Sequence, residues 1–328
     1  MKAEASRPGL IAQQLIRQMG GIQGCRVFKI AGVRELIEKY SPDKWFNKSD
    51  AIMTIGQNDP QTGRPNFMDY ESLFIDSEQK GKLKPENAFI YLVKKEVFRA
   101  GLEFECPACH LAFWLHLDDV ATEAKCVFCG HKFNTTPQLR DRDWKYRRSG
   151  LFGQKDHQEG AIPVVLTLQQ LVTNLALQLT IYTTAMKIKP INTSIDPCEI
   201  DFIIMTVGLD ERVQLVIGEC KTNEEVSEQQ VTKIKNVADT FPVDSIDVFI
   251  IFSKTSAFKD EEIRRCQIAQ DQYRNRVILL SSRELEPYGI YERTSQEFQI
   301  DARGFSMEDL AQATNDIYFN PKPIKNRT

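Results

Sequence analysis

Eight cysteines occur in the chain, and four of them fall into two pairs, Cys106-Pro-Ala-Cys109 and Cys126-Val-Phe-Cys129, with sixteen residues between the pairs. A CxxC turn aims two thiolates at one point, and two such turns complete a tetrahedron around zinc. Four thiolates fill the coordination sphere, so the expected zinc is structural, with no open position for a reaction. His110, His116 and His131 are near in sequence, but four cysteines leave them no vacancy. A module of this size draws much of its folding free energy from the metal. Cys25, Cys198, Cys220 and Cys266 stand alone and read as small buried hydrophobes of a reducing compartment.

The second constellation is Glu219-Cys220-Lys221, at the end of the apolar strand expected over 212–221. Alternation puts Glu219 and Lys221 on one face. Charge at the end of an apolar strand costs free energy unless something uses it. The carboxylate can hold magnesium, and the lysine can orient or deprotonate water or stabilise a phosphorane. Cys220 points the other way, but its backbone carbonyl can join a metal shell. One carboxylate seldom suffices for magnesium, and Asp201 lies on the preceding expected strand, 199–207. A three-residue loop (Leu209, Asp210, Glu211) sets Asp201 directly opposite Glu219, whereas a two-residue loop throws Glu219 to the other face. The bland alternative for Glu219 and Lys221 is a plain salt bridge at a strand end.

The elements that must position these residues follow the order αβββαβαβ from residue 160. Pro163 suits a first helical turn, and Val164, Leu168, Leu171, Leu175 and Leu179 form one apolar stripe. Ser227 and Gln230 have capping-box spacing, with Val231, Ile234, Ala238 and Phe241 on one face of the helix that follows. A strand at 246–252, a helix at 259–273 and a strand at 277–281 complete the set. Upstream, a helix at 8–20, a strand at 26–30, a helix at 32–40, a loop at 54–66 and a helix at 87–100 make a mixed α/β region without a chemical motif. Residues 140–148 hold five basic and two acidic residues around Trp144 and Tyr146. Trp144, Lys145, Tyr146, Arg147 and Arg148 are therefore candidates for nucleic-acid contact, since rings stack on bases and cations meet phosphates; the competing reading is a solvated linker.

Asp201 within Glu-Ile-Asp, Glu219-x-Lys221 on the next strand and a polar helix after it resemble the PD-(D/E)xK nuclease superfamily, over about 130 residues. The resemblance implies an α/β fold, a restriction-endonuclease-like mixed central sheet flanked by helices, here joined to a zinc ribbon and the mixed N-terminal region. It also implies that Asp201 and Glu219 bind magnesium or manganese, with the Cys220 carbonyl, and that Lys221 assists the attacking water. Many members carry a further Glu on the first helix; Glu159 is the nearest counterpart, although it precedes Pro163. Gln229, Gln230 and Lys233 stand where relatives place a Gln or Lys near the scissile phosphate. The literal Pro-Asp pair is absent at Asp201, and Asp196-Pro197 reverses it. The expected domains are 1–100, a ribbon at 101–137, a basic linker at 138–154, the nuclease at 155–295 and an extension at 296–328.

The implied activity is metal-dependent phosphodiester hydrolysis, as a DNA endonuclease of bacterial restriction or antiviral defence. The alternative is a silent module that keeps the fold and binds nucleic acid or a protein. Net charge is −3, which disfavours indiscriminate coating of nucleic acid and leaves contact to local patches. DNA is the expected partner ahead of RNA, with a homodimer or a partner subunit compatible with the sequence. No P-loop motif occurs, so ATP-driven translocation would need another subunit. No apolar run of membrane-spanning length occurs and residues 1–8 carry no signal-peptide core, so the expected location is cytoplasmic.

Overall fold

The computed structural model describes residues 2–57, 67–139, 144–153, 160–175, 180–189, 191, 195–208, 211–242, 244–271, 275–286, 289–299 and 306–321. Strand β1 (Lys2–Ala5) and helix α1 (Arg7–Gln18) open a compact unit made of Met1–Cys25 and Gln158–Thr328; the intervening Arg26–His157 form a second unit. Ser6 caps α1 by accepting the Gly9 N–H at 3.3 Å, and Pro8 occupies the first turn, where a missing N–H costs nothing. The expected strand at 26–30 is instead part of a 3₁₀ segment, Ile22–Lys29.

The second unit contains α2 (Ala31–Lys39), β2 (Trp45–Asn47), α3 (Lys48–Gly56), α4 (Pro85–Lys94), β3 (Phe98–Glu105), β4 (Ala112–His116), β5 (Glu123–Lys125), β6 (Lys132–Asn134) and β7 (Lys145–Arg148). One sheet has the order β2-β7-β3-β4, and β5 pairs with β6 alone. The helix expected to run to residue 100 stops at Lys94, because Glu96 takes φ +56 and turns the chain into β3. The expected linker is corrected too: β7 lies inside the sheet, antiparallel to both β2 and β3. Tyr146 anchors it, its ring 4.9 Å edge-on from Phe89 and 6.3 Å from Phe46.

The other unit continues with α5 (Ala161–Asn174), β8 (Thr180–Lys189), β9 (Cys198–Val207), β10 (Val213–Lys221), α6 (Glu228–Ala238), β11 (Ile246–Lys254), α7 (Asp260–Gln267), β12 (Val277–Leu280), α8 (Ser282–Leu285), α9 (Glu292–Phe298) and α10 (Met307–Thr314). From α5 to β12 this is the expected order. The six-stranded sheet runs β1-β8-β9-β10-β11-β12, antiparallel as far as β10 and parallel from β10 to β12. Parallel neighbours need crossovers, which α6 and α7 supply. Helix α5 meets one face of β10, with Thr167 3.8 Å from Cys220, and α6 meets the other, with Gln230 2.7 Å from Glu219. The fold is thus a mixed α/β sheet flanked by helices. Of the expected stripe on α5, Val164, Leu168, Leu171 and Leu175 are buried; Leu179 lies outside the described residues.

The unit boundaries depart from those expected at 155 and 295. Strand β1 pairs with β8, and Ser6 N–H donates to the Ala185 carbonyl at 3.1 Å. Helix α10 buries Met307, Leu310 and Ala311, and Thr314 accepts the Leu279 N–H at 3.0 Å. Residues on both sides of the other unit therefore belong to this one. Among the described residues no helix is long and apolar enough to cross a membrane.

Candidate functional site

The β9–β10 ladder runs from Val213 opposite Val207 to Gly218 opposite Phe202. This is the register of a three-residue loop, and the next step along it brings Asp201 opposite Glu219. Hydrogen bonding of the ladder stops at Gly218, so the strands part where the two carboxylates lie. Gly218 is required there: an added Cβ would come within 2.0 Å of the Phe202 ring. That ring packs behind the site, on the face opposite the carboxylates.

Asp201 Oδ2 accepts the Cys220 N–H at 2.7 Å. Within a strand a residue's N–H and C=O point to the same side, so the Cys220 carbonyl also faces the gap beyond the ladder's end. Glu219 is 5% exposed; its Oε1 accepts from Gln230 Nε2 at 2.7 Å and lies 2.7 Å from Lys221 Nζ. Gln230 in turn caps α6, accepting the Ser227 N–H at 3.0 Å, so the expected capping box also aims an amide at Glu219. Burial, reinforced by the nearby Glu219 charge, pushes the Asp201 carboxyl up to about 7. Burial also raises Glu219, against the pull of Lys221. For Lys221 burial works against the charge, but Glu219 and Asp201 outweigh it and hold the ammonium above its ordinary pKa.

These groups line a cleft of about 870 Å³, together with Lys187, Lys189, Glu199, Glu224 and Lys233. Two neighbouring carboxylates made costly by burial, each with one oxygen free of a hydrogen-bond donor among the described residues, could serve as ligands to a hard divalent cation. Glu199, Lys187 and Lys189 were missed in the sequence because strand β8 had no assigned register: Lys187 pairs with Glu199 across β8 and β9. Lys189 is held by Glu4 at 2.6 Å. Glu159 lies outside the described residues.

The four paired cysteines converge. All four sulfurs lie within 4.8 Å of one another, with Cys106 and Cys129 at 3.6 Å and Cys109 and Cys126 at 3.7 Å. A tetrahedral ZnS₄ centre with bonds of ~2.3 Å has S···S edges of about 3.8 Å, so the cluster fits zinc. The knuckles repeat one backbone pattern. His110 N–H donates to the Cys106 carbonyl at 2.8 Å and Gly130 N–H to that of Cys126 at 3.0 Å, with φ of +58 at His110 and +74 at Gly130. Burial opposes ionisation of Cys126, but the Cys129 and Phe128 N–H groups and the neighbouring thiols bring it down to about 6. Two of the nearby histidines are engaged elsewhere: His110 lies 3.2 Å from Glu105, and His116 3.2 Å from Asp118. The four isolated cysteines are buried.

The basic and aromatic candidates mostly serve the fold. Arg148 is buried and donates to the Ile37 and Tyr40 carbonyls at 3.0 and 3.2 Å. Arg147 donates to the Pro42 carbonyl and lies over the Trp114 ring at 5.7 Å. Lys145 donates to Asn47 at 2.8 Å, and Tyr146 packs on Phe46 and Phe89. Each of these four therefore has a structural contact within its own unit, and Arg148 is the one of them that is buried. Trp144 alone of the five is strongly exposed.

No protein-family model matches the chain, and no curated protein matches it. Among solved structures it is similar to the MspJI restriction endonuclease in complex with a 27-mer oligonucleotide, at 19% identity, over 43% of this chain and 28% of that one, with a TM-score of 0.21. At that score the likeness carries no weight for fold or function, and the chain spans little more than a quarter of that enzyme's length.

Proposed function

We propose that the chain is a metal-dependent nuclease that hydrolyses phosphodiester bonds, acting as a DNA endonuclease in bacterial restriction or anti-phage defence. The reading rests on one observation: Asp201, Glu219 and Lys221 meet in a single cleft where two antiparallel strands part. Asp201, Glu219 and the Cys220 carbonyl would hold magnesium or manganese, which polarises a phosphate oxygen and lowers the pKa of a bound water. Lys221 orients the attacking water or stabilises charge on the phosphorane. Gln230 holds Glu219 in place through Oε1. Lys187 and Lys233, with no ion-pair partner among the described residues, supply cations to the substrate's phosphates along the cleft wall. Zinc in the four-cysteine cluster is structural in this reading.

The test is cleavage of plasmid, linear duplex, single-stranded DNA and RNA with and without magnesium, comparing the wild type with Glu219→Ala. The reading expects magnesium-dependent cutting of duplex DNA that the substitution abolishes. Intact substrate in every arm makes the fold a silent binding module.

A further inference from the structure

The second cysteine knuckle carries a feature that holding zinc does not require. Val127 and Phe128, between its two cysteines, are 64% and 60% exposed, while the rings behind them, Phe113 and Phe133, form the ribbon's own core. An aromatic ring turned outward adds nothing to that core. At the base of the same tip, Lys125 and Lys132 stand directly opposite each other on β5 and β6. Like charges directly across a strand pair destabilise it. Neither lysine has an ion-pair partner among the described residues, and both are exposed. Gly130, at φ +74, brings the Lys125 side chain to the knuckle: a Cβ added at Gly130 would lie 3.5 Å from Lys125 Cε. Two exposed cations without an ion-pair partner among the described residues therefore stand at the base of the knuckle that carries this ring, in a protein whose net charge is −3.

We propose that this knuckle is a contact surface for an unpaired nucleic-acid strand, with a base stacked on Phe128 and phosphates at Lys125 and Lys132. An apolar protein partner would cover Val127 and Phe128 but would be repelled by an unneutralised lysine pair; a polyanion with accessible base faces satisfies both features. A duplex offers phosphates but keeps its base faces stacked inside, so the surface favours single strands, loops and ends. The inference extends the nuclease reading by naming a strand-holding surface on the ribbon, and binding is measured separately from cleavage.

The experiment is anisotropy of a fluorescein-labelled oligothymidylate with the full-length, zinc-loaded chain and no added divalent metal, over a range of salt. Phe128→Ala weakens binding about 5- to 150-fold, the range for losing one stacked base, and Phe128→Tyr restores it. Lys125→Ala with Lys132→Ala weakens binding and lowers the salt slope by about 1.4, or 0.7 per lost phosphate contact on a single strand. Zinc content by elemental analysis shows that each variant keeps its ribbon. Affinity and slope equal to wild type in zinc-loaded variants overturn the inference, as does restoration by Phe128→Leu, which packs but does not stack. An inactive wild type that still loses binding on Phe128→Ala sinks the nuclease reading alone; an active wild type indifferent to Phe128 sinks this one alone.

Discussion

Asp201 is where the metal-free site is least comfortable. Burial and the Glu219 charge both disfavour its ionised form, and only the Cys220 N–H and Lys221 favour it. Asp201→Asn keeps an acceptor for that N–H and removes the repulsion between the two carboxylates. We expect the variant to be more stable than wild type without divalent metal by about 1–2 kcal/mol, measured by thermal melting, and to lose the additional stability that magnesium gives the wild type. A variant less stable than wild type would contradict the repulsion between the two buried carboxylates. Glu219 behaves differently because its Oε1 contacts both Lys221 and Gln230, so its removal strands a partly buried ammonium and is the wrong probe for relief of repulsion.

At the scale of elements, β7 gives the clearest reassignment. Its Arg148 spends two hydrogen bonds on the Ile37 and Tyr40 carbonyls. Arg148→Ala should therefore destabilise the unit of residues 26–157 by about 3 kcal/mol, the cost of charged hydrogen bonds lost to buried acceptors, while leaving oligonucleotide affinity unchanged in folded protein. Urea melts and anisotropy check the two halves; lost affinity without lost stability would instead support the expected phosphate-binding role of the arginine. Lys145–Arg148 looked like a linker because cations dominate four residues whose strand partners, near residues 45–47 and 98–101, lie far away in sequence. Strand β1 was hidden for the same reason: its partner begins beyond residue 180. The β9–β10 pairing was legible because face alternation and loop length allow one register that puts both carboxylates together. The start of α6 was legible because Ser227 and Gln230 form a purely local capping box. Glu199 and Lys187 could not be read, since their meeting depends on the β8–β9 register.

At the scale of the whole chain, two compact units carry the two constellations, the cysteine cluster in one and the carboxylates in the other. The ribbon's core is a handful of side chains, chiefly Phe104, Phe113, Ala124 and Phe133 around the cysteines, too small to persist without its metal. Elemental analysis should find about one zinc per chain, as one tetrahedral site demands. Chelation should abolish hydrogen-exchange protection in β5, β6 and the two cysteine knuckles and leave the β9–β10 ladder protected. A chain without zinc, or a ribbon equally protected after chelation, would contradict the assignment. The central claim is that the carboxylate cleft performs chemistry, and magnesium-dependent cleavage of supercoiled plasmid by wild type and Glu219→Ala tests it most directly. The account predicts cutting by the wild type in magnesium, none in its absence, and none by a folded, zinc-loaded Glu219→Ala. Equal cutting by both proteins, or none by either, would contradict it.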